Sequence, residues 1–133
     1  MAYMIKPGLP QLRQRLRAIH EEMGRLLPAL LGREPLLCAS LSYRPRTCGN
    51  PGCRCARGQR HPAWIVQFSR GGRSHCRSVG RERYERLLGP AEAYRGVRAA
   101  RVRWNRLAKE AARVVAQLER GRALDTRGAL EQR

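Results

Sequence analysis

Between Glu34 and Glu82 the chain has no acidic residue. That gap removes the carboxylates that would hold a catalytic magnesium or act as a general base there. A nuclease or transposase centre built on acidic side chains is therefore not expected within this chain. No glycine-rich loop of the P-loop or dinucleotide-binding type is present. No apolar run approaches the ~18 residues of a membrane span, and Lys6, Pro7, Gly8 and Pro10 interrupt any basic-apolar leader. These absences point to a cytoplasmic, non-enzymatic protein without membrane contact. Lysine is also scarce: of 28 basic residues, only Lys6 and Lys109 are lysine.

Arginine takes its place. With 28 basic against 10 acidic residues the formal charge is +18. A field of that sign attracts polyanions and releases counterions on meeting phosphate. Arginine also forks onto phosphates and guanine edges, where lysine acts as a point charge. An anionic protein or membrane surface would suit the same charge, and a GC-rich genome alone can inflate arginine. The distribution says more than the total. The acid-free stretch holds Arg44, Arg46, Arg54, Arg57, Arg60, Arg70, Arg73, Arg77 and Arg81, with no carboxylate to pair with inside it. Elsewhere Glu21, Glu22, Glu85, Glu92, Glu110 and Glu119 can meet arginines at helical spacing. Arg44, Arg46, Arg54, Arg57, Arg60, Arg73 and Arg77 are accordingly the candidate contacts to DNA or RNA. Tyr43 or Trp64 would be near enough to stack on bases, although the simplest role for Trp64 is to anchor the core.

At 133 residues the chain is long enough for one domain, 1–133, with a modest core. Residues 1–9 read as a loose arm. A helix follows over 10–32, because Leu12, Leu16, Ile19, Met23, Leu26 and Leu30 recur at steps of 4, 3, 4, 3 and 4. Pro28 either ends it near Leu27 or bends it before Gly32. A sheet is expected over 36–79. Leu37, Ala39, Leu41 and Tyr43 alternate with Cys38, Ser40 and Ser42, the period of a half-buried strand. Cys38 reads there as a small buried or semi-buried side chain. A Cys-rich loop occupies 44–62. Ala63 to Arg70 forms a second strand, Gly71-Gly72 signals a hairpin, and Arg73 to Val79 returns. A two-residue loop sets His75 opposite Phe68 and Arg77 opposite Val66, whereas a three-residue loop sets Cys76 opposite Val66. The second is preferred, since it groups Arg73, His75 and Arg77 with Gln67 on an open face.

Helices are expected over 81–120, punctuated at Gly89-Pro90. The longer one carries a coiled-coil-like seam of Tyr94, Val97, Arg101, Trp104, Ala108, Ala111, Val115 and Leu118, widened by Leu107 and Val114. Residues 121–133 read as a frayed tail. The fold class is thus α+β: an N-terminal helix, a three-stranded antiparallel sheet with a Cys-rich loop insertion, and a long C-terminal helix pairing antiparallel with the first. Ala108 and Ala111 would also allow a homodimer through the C-terminal helix.

The chemistry concentrates in Cys48-x4-Cys53-x-Cys55-x5-His61. Three thiols and an imidazole are an accepted structural zinc set, and Gly49, Asn50, Pro51 and Gly52 can form a knuckle that aims two thiolates at one point. The spacing differs from paired C-x2-C motifs. A metal-free, hydrogen-bonded turn and a reactive thiol therefore stay open beside zinc. Neighbouring Arg46, Arg54, Arg57 and Arg60 would favour thiolate in either case. His75 and Cys76 are alternative ligands if the hairpin folds over the loop, and His20 reads as a surface residue.

From Ser40-Leu41-Ser42-Tyr43-Arg44 through Cys48-Gly49-Asn50-Pro51-Gly52-Cys53-Arg54-Cys55-Ala56-Arg57-Gly58 to His61, the sequence resembles a family of small arginine-rich prokaryotic proteins described only as a domain of unknown function. The resemblance covers roughly residues 33 to 120. It implies the same layout and a mobile-element context, with a transposase or recombinase as a partner. It brings no activity or catalytic residue. Cys76 and Gly89-Pro90 depart from the family pattern, so Cys76 is not carried into the site. A non-enzymatic nucleic-acid-binding accessory protein is the expectation; a protein-interaction adaptor that docks through its helices is the alternative.

Overall fold

The computed structural model describes residues 7–132, so most of the arm read over 1–9, and the last residue of the tail, lie outside the described residues. The elements are α1 (Leu9–Leu30), β1 (Ser40–Tyr43), β2 (Trp64–Arg70), β3 (Arg73–Val79), α2 (Arg81–Arg122) and α3 (Thr126–Glu131), with a 3-10 turn at Arg54–Arg57 between β1 and β2. The class is α+β, as the periodicities indicate. Among the described residues no helix is long and apolar enough to cross a membrane. The chain forms two compact units: α1 with α2 from Ala99 onward and α3, and the segment Gly32–Arg98.

In the helical unit α1 and α2 run antiparallel. Arg15 Nε donates to Glu110 Oε1 at 2.6 Å, and one α1 turn pair later Arg103 Nε donates to Glu22 Oε1 at 2.7 Å. Leu12, Ile19, Leu107 and Val114 are the buried centre, packed against by Leu9, Leu16, Met23, Leu26, Ala111 and Leu118. The α1 stripe is the one its spacing predicts. The α2 seam is rotated: Leu107 is 0 % exposed, whereas Val115 is 48 % exposed and Ala108 and Arg101 face solvent. Ala100, Trp104, Leu107, Ala111, Val114 and Leu118 form the inner stripe instead. This phase buries Ala100, Leu107 and Val114 where the expected one would bury Arg101, Ala108 and Val115, so it gains a leucine over an alanine and buries no charge.

Neither proline ends its helix. Pro28 lies in the last turn of α1, where one lost ladder bond costs little, and Leu31 N–H closes the end on the Leu27 carbonyl at 2.8 Å. Pro90 lies inside α2, and the expected break at Gly89-Pro90 is absent. An interior proline costs about 3 kcal/mol. Tyr84, Leu87, Ala91 and Tyr94 lie on one partly or fully buried face across it, and the Pro90 carbonyl accepts the Leu37 N–H at 3.0 Å. That burial on both sides of the proline keeps the helix continuous. Beyond α2, the segment expected to fray contains α3, whose Asp125 side chain accepts the Gly128 N–H at 3.0 Å.

In the other unit the strands are antiparallel in the order β1-β2-β3. The hairpin register corrects the preferred one: Val66 pairs with Arg77, Phe68 with His75 and Arg70 with Arg73, leaving Gly71-Gly72 as a two-residue loop. Both glycines have positive φ, 59° and 75°. This is the loop whose twist matches the flanking strands. Face burial could not decide the register, because nearly all of β3 is exposed; turn chemistry decides it. β2 is central and has both Ile65 and Val66 buried, one on each face. Cys38, read as buried or semi-buried, is exposed, since it precedes β1 and no ladder covers it.

Candidate metal centre and the arginine loop

The Cys-rich loop is held at its neck by the sheet. Beyond the Tyr43–Trp64 pair the two arms keep the β1–β2 register: Arg44 N–H donates to Ala63 O at 2.9 Å, and Arg46 and His61 exchange backbone bonds of 2.8 and 2.7 Å. His61 is thereby placed across from Arg46, two residues before Cys48. Inside the neck the chain turns tightly. Gly49 adopts φ 77°, Asn50 Oδ1 accepts Gly52 N–H at 3.0 Å, and Cys53 N–H donates to the Asn50 carbonyl at 3.1 Å. The Arg54–Arg57 turn then buries Cys55, which is 2 % exposed, and ends on Gly58 at φ 104°.

These turns bring Cys48, Cys53, Cys55 and His61 together, with one ligand atom of each within 4.8 Å of all the others. Cys48 Sγ and Cys55 Sγ are 3.4 Å apart, and Cys53 Sγ is 3.2 Å from His61 Nε2. Around a tetrahedral zinc with bonds of about 2.3 Å, sulfurs sit roughly 3.8 Å apart. The donor set and its spread fit such an ion, and the four side chains could hold a metal. Backbone amides already serve the sulfurs, as Cys48 N–H donates to Cys55 Sγ at 3.2 Å.

The electrostatics explain why a cation suits the cluster. The Asn50 amide, then the Cys55 and Cys53 thiols, hold Cys48 below the ordinary thiol range. The Cys55 amide and thiol do the same for Cys53, with His61 assisting. For Cys55 the Cys48 amide pulls downward, but burial and the neighbouring thiols together outweigh it and push the group up. The two thiols that ionise more readily leave the third reluctant to do so. A positive ion between them would relieve that repulsion.

His75 and Cys76 do not join the cluster. His75 stacks on Phe68 instead, with ring centroids 5.2 Å apart and 18° between planes. Of the arginines predicted to contact nucleic acid, Arg44, Arg46, Arg54, Arg57 and Arg60 lie on the loop, while Arg73 and Arg77 lie on β3; all are exposed. The ion pairs of the described residues involve Arg15, Arg81 and Arg103, none of those seven. Asn50 was legible only as a turn residue; its service to the Cys48 sulfur needs the folded loop.

Residues 9–88 match the model of the family described as Domain of unknown function (DUF6788). That span is more than half of the chain. The chain belongs to this family. The DUF6788 region takes in α1, the whole sheet and the cysteine loop, and ends within the first turns of α2. It therefore starts earlier and stops sooner than the resemblance drawn from the cysteine motif. No curated protein and no solved structure matches the chain.

Proposed function

We propose that this DUF6788 protein is a non-enzymatic, zinc-stapled nucleic-acid-binding accessory protein. Cys48, Cys53, Cys55 and His61 would hold the zinc, and its work would be structural, because four protein ligands leave no open position. Arg44, Arg46, Arg54, Arg57 and Arg60 on the stapled loop, with Arg73 and Arg77 on the sheet, would meet the phosphates of DNA or RNA. One observation carries this reading: seven exposed arginines without an ion-pair partner among the described residues, in a stretch free of acidic residues. A cationic surface kept clear of internal carboxylates favours a polyanion over a protein partner of mixed charge. Service to a transposase or recombinase draws on the motif resemblance alone.

Gel-shift titration at several salt concentrations tests it. Affinity should fall steeply with salt, with a log-log slope of about −0.9 for each duplex phosphate neutralised. An absent or salt-independent shift overturns the proposal. A second reading, docking of α2 onto another copy of the chain or an acidic protein, is favoured by Val102 and Val115, which α2 leaves half exposed. Sedimentation of the wild type and of Val115→Glu tests it: self-association abolished by the charge supports docking between copies.

A further inference from the structure

The register of the sheet sorts its side chains onto two faces, and the two faces differ. Residues directly opposite each other in a ladder share a face, as do residues two apart. Tyr43 and Trp64 are therefore on the same face as Phe68 and His75. The Tyr43 and Trp64 rings are 5.6 Å apart with a 46° tilt, and Phe68 stacks on His75. Three residues of β2 lie between the two pairs, a rise of about 13 Å along the strand. Between them lies Val66, with Arg77 opposite it, and past the second pair come Arg70 and Arg73, opposite each other. The other face carries Ser40, Gln67, Ser69, Ser74 and Cys76 at the hairpin end, which offer no ring and no charge.

From this alternation we infer that the aromatic face is a platform for single-stranded nucleic acid, with bases stacking on the two ring pairs and phosphates meeting Arg70, Arg73 and Arg77. Tyr43 is 53 % exposed, His75 is exposed, and Trp64 and Phe68 are largely covered but not buried. All four rings thus keep surface for a ligand. The occupant follows from chemistry. The three arginines are exposed, have no ion-pair partner among the described residues and need an anion. The rings need a flat π face on the same ligand. Duplex bases cover one another, so an unpaired strand supplies both together. The inference rests on the nucleic-acid reading above and adds the strand state and the contact surface.

Trp64 and Trp104 are the two tryptophans, so a Trp104→Phe protein reports on Trp64 alone. Titrating it with oligothymidylate, oligouridylate and a duplex of equal length, at one salt concentration, gives the test. Quenching of Trp64 by either single strand, with weaker quenching by duplex, supports the platform. Tyr43→Leu and Phe68→Leu keep apolar bulk but remove the ring. Each should weaken single-strand binding by about fivefold to about 150-fold and leave duplex affinity unchanged. Equal loss for both strand states, or saturating single strand with no change in Trp64 emission, overturns the platform while leaving phosphate binding by the loop in place. Failure to bind any of the three overturns both readings. Circular dichroism identical to wild type confirms that a variant's loss is not unfolding.

Discussion

Cys48 and Cys55 are joined twice. The Cys48 amide donates to the Cys55 sulfur at 3.2 Å, and the two sulfurs lie 3.4 Å apart. Cys55 is also the buried member of the cluster, so it governs the loop more than the exposed Cys48 does. Purified protein should carry about one zinc per chain. Cys55→Ser should lose it, whereas Cys76→Ser, outside the cluster, should retain it. Elemental analysis of the three proteins decides the matter. Equal metal in all three, or none in any, removes the centre. Chelation of the wild type should lower the melting temperature if the ion staples the loop.

The rotated α2 seam makes a separate forecast. Leu107 is fully buried and Val115 half exposed, although the heptad pattern alone favours Val115. Leu107→Ala should cost about 2–5 kcal/mol in urea denaturation. Val115→Ala should change stability by no more than about 0.5 kcal/mol. Comparable losses at both sites would show the helix in the other phase.

Much of the architecture was readable where burial drives it. Leu12 to Leu30 announced α1 because one face of that helix is apolar and the other is not. The Cys/His cluster was readable because its thiols and imidazole fall within one short loop. Two things escaped. The α2 seam offered two overlapping heptads, sharing Trp104, Ala111 and Leu118; only packing against α1 selects between them. The β3 register escaped because an exposed strand carries no inside-outside signal, so the turn decides it. Proline rules also misled at Pro90, where burial on both flanks outweighs a local penalty.

The hairpin turn can be tested directly. Gly72 has φ 75°, a region that costs other L residues about 1–2 kcal/mol. Gly72→Ala should lose about that much in denaturant titration. Gly71→Asn should be tolerated, since it creates the Asn-Gly pair this two-residue turn prefers. If Gly72→Ala is neutral and Gly71→Asn harmful, the three-residue loop returns.

Acid should loosen the helical unit through Glu110. The Arg15 hydrogen bond, aided by charge from Arg15, Arg113 and Arg103, holds its carboxyl below the usual range against an opposing contribution from burial. The folded carboxyl binds its proton more weakly than the unfolded one. Its contribution is therefore complete above the unfolded value, near pH 4.3, and fades as pH falls through the folded value. Glu110→Gln should melt slightly lower than wild type at pH 7. The gap should be small, because both partners are partly solvated, and should close in strong acid. A gap that widens on acidification would contradict the pairing.

The loop arginines make the last forecast. Arg57 and Arg60 lie on either side of Gly58 in the sequence, are exposed, and touch no carboxylate among the ion pairs of the described residues. If each neutralises one phosphate, Arg57→Gln and Arg60→Gln should each reduce the salt slope of duplex binding by about 1. Both should weaken all sequences alike, because phosphate contact carries no base information. Arg15→Gln, whose guanidinium is already committed to Glu110, should leave the slope unchanged. The comparison separates loop contact from bulk charge: each variant removes one positive charge, yet only the loop substitutions remove a phosphate partner. Equal slope changes at all three positions would mean that net charge, and not the cysteine loop, drives binding.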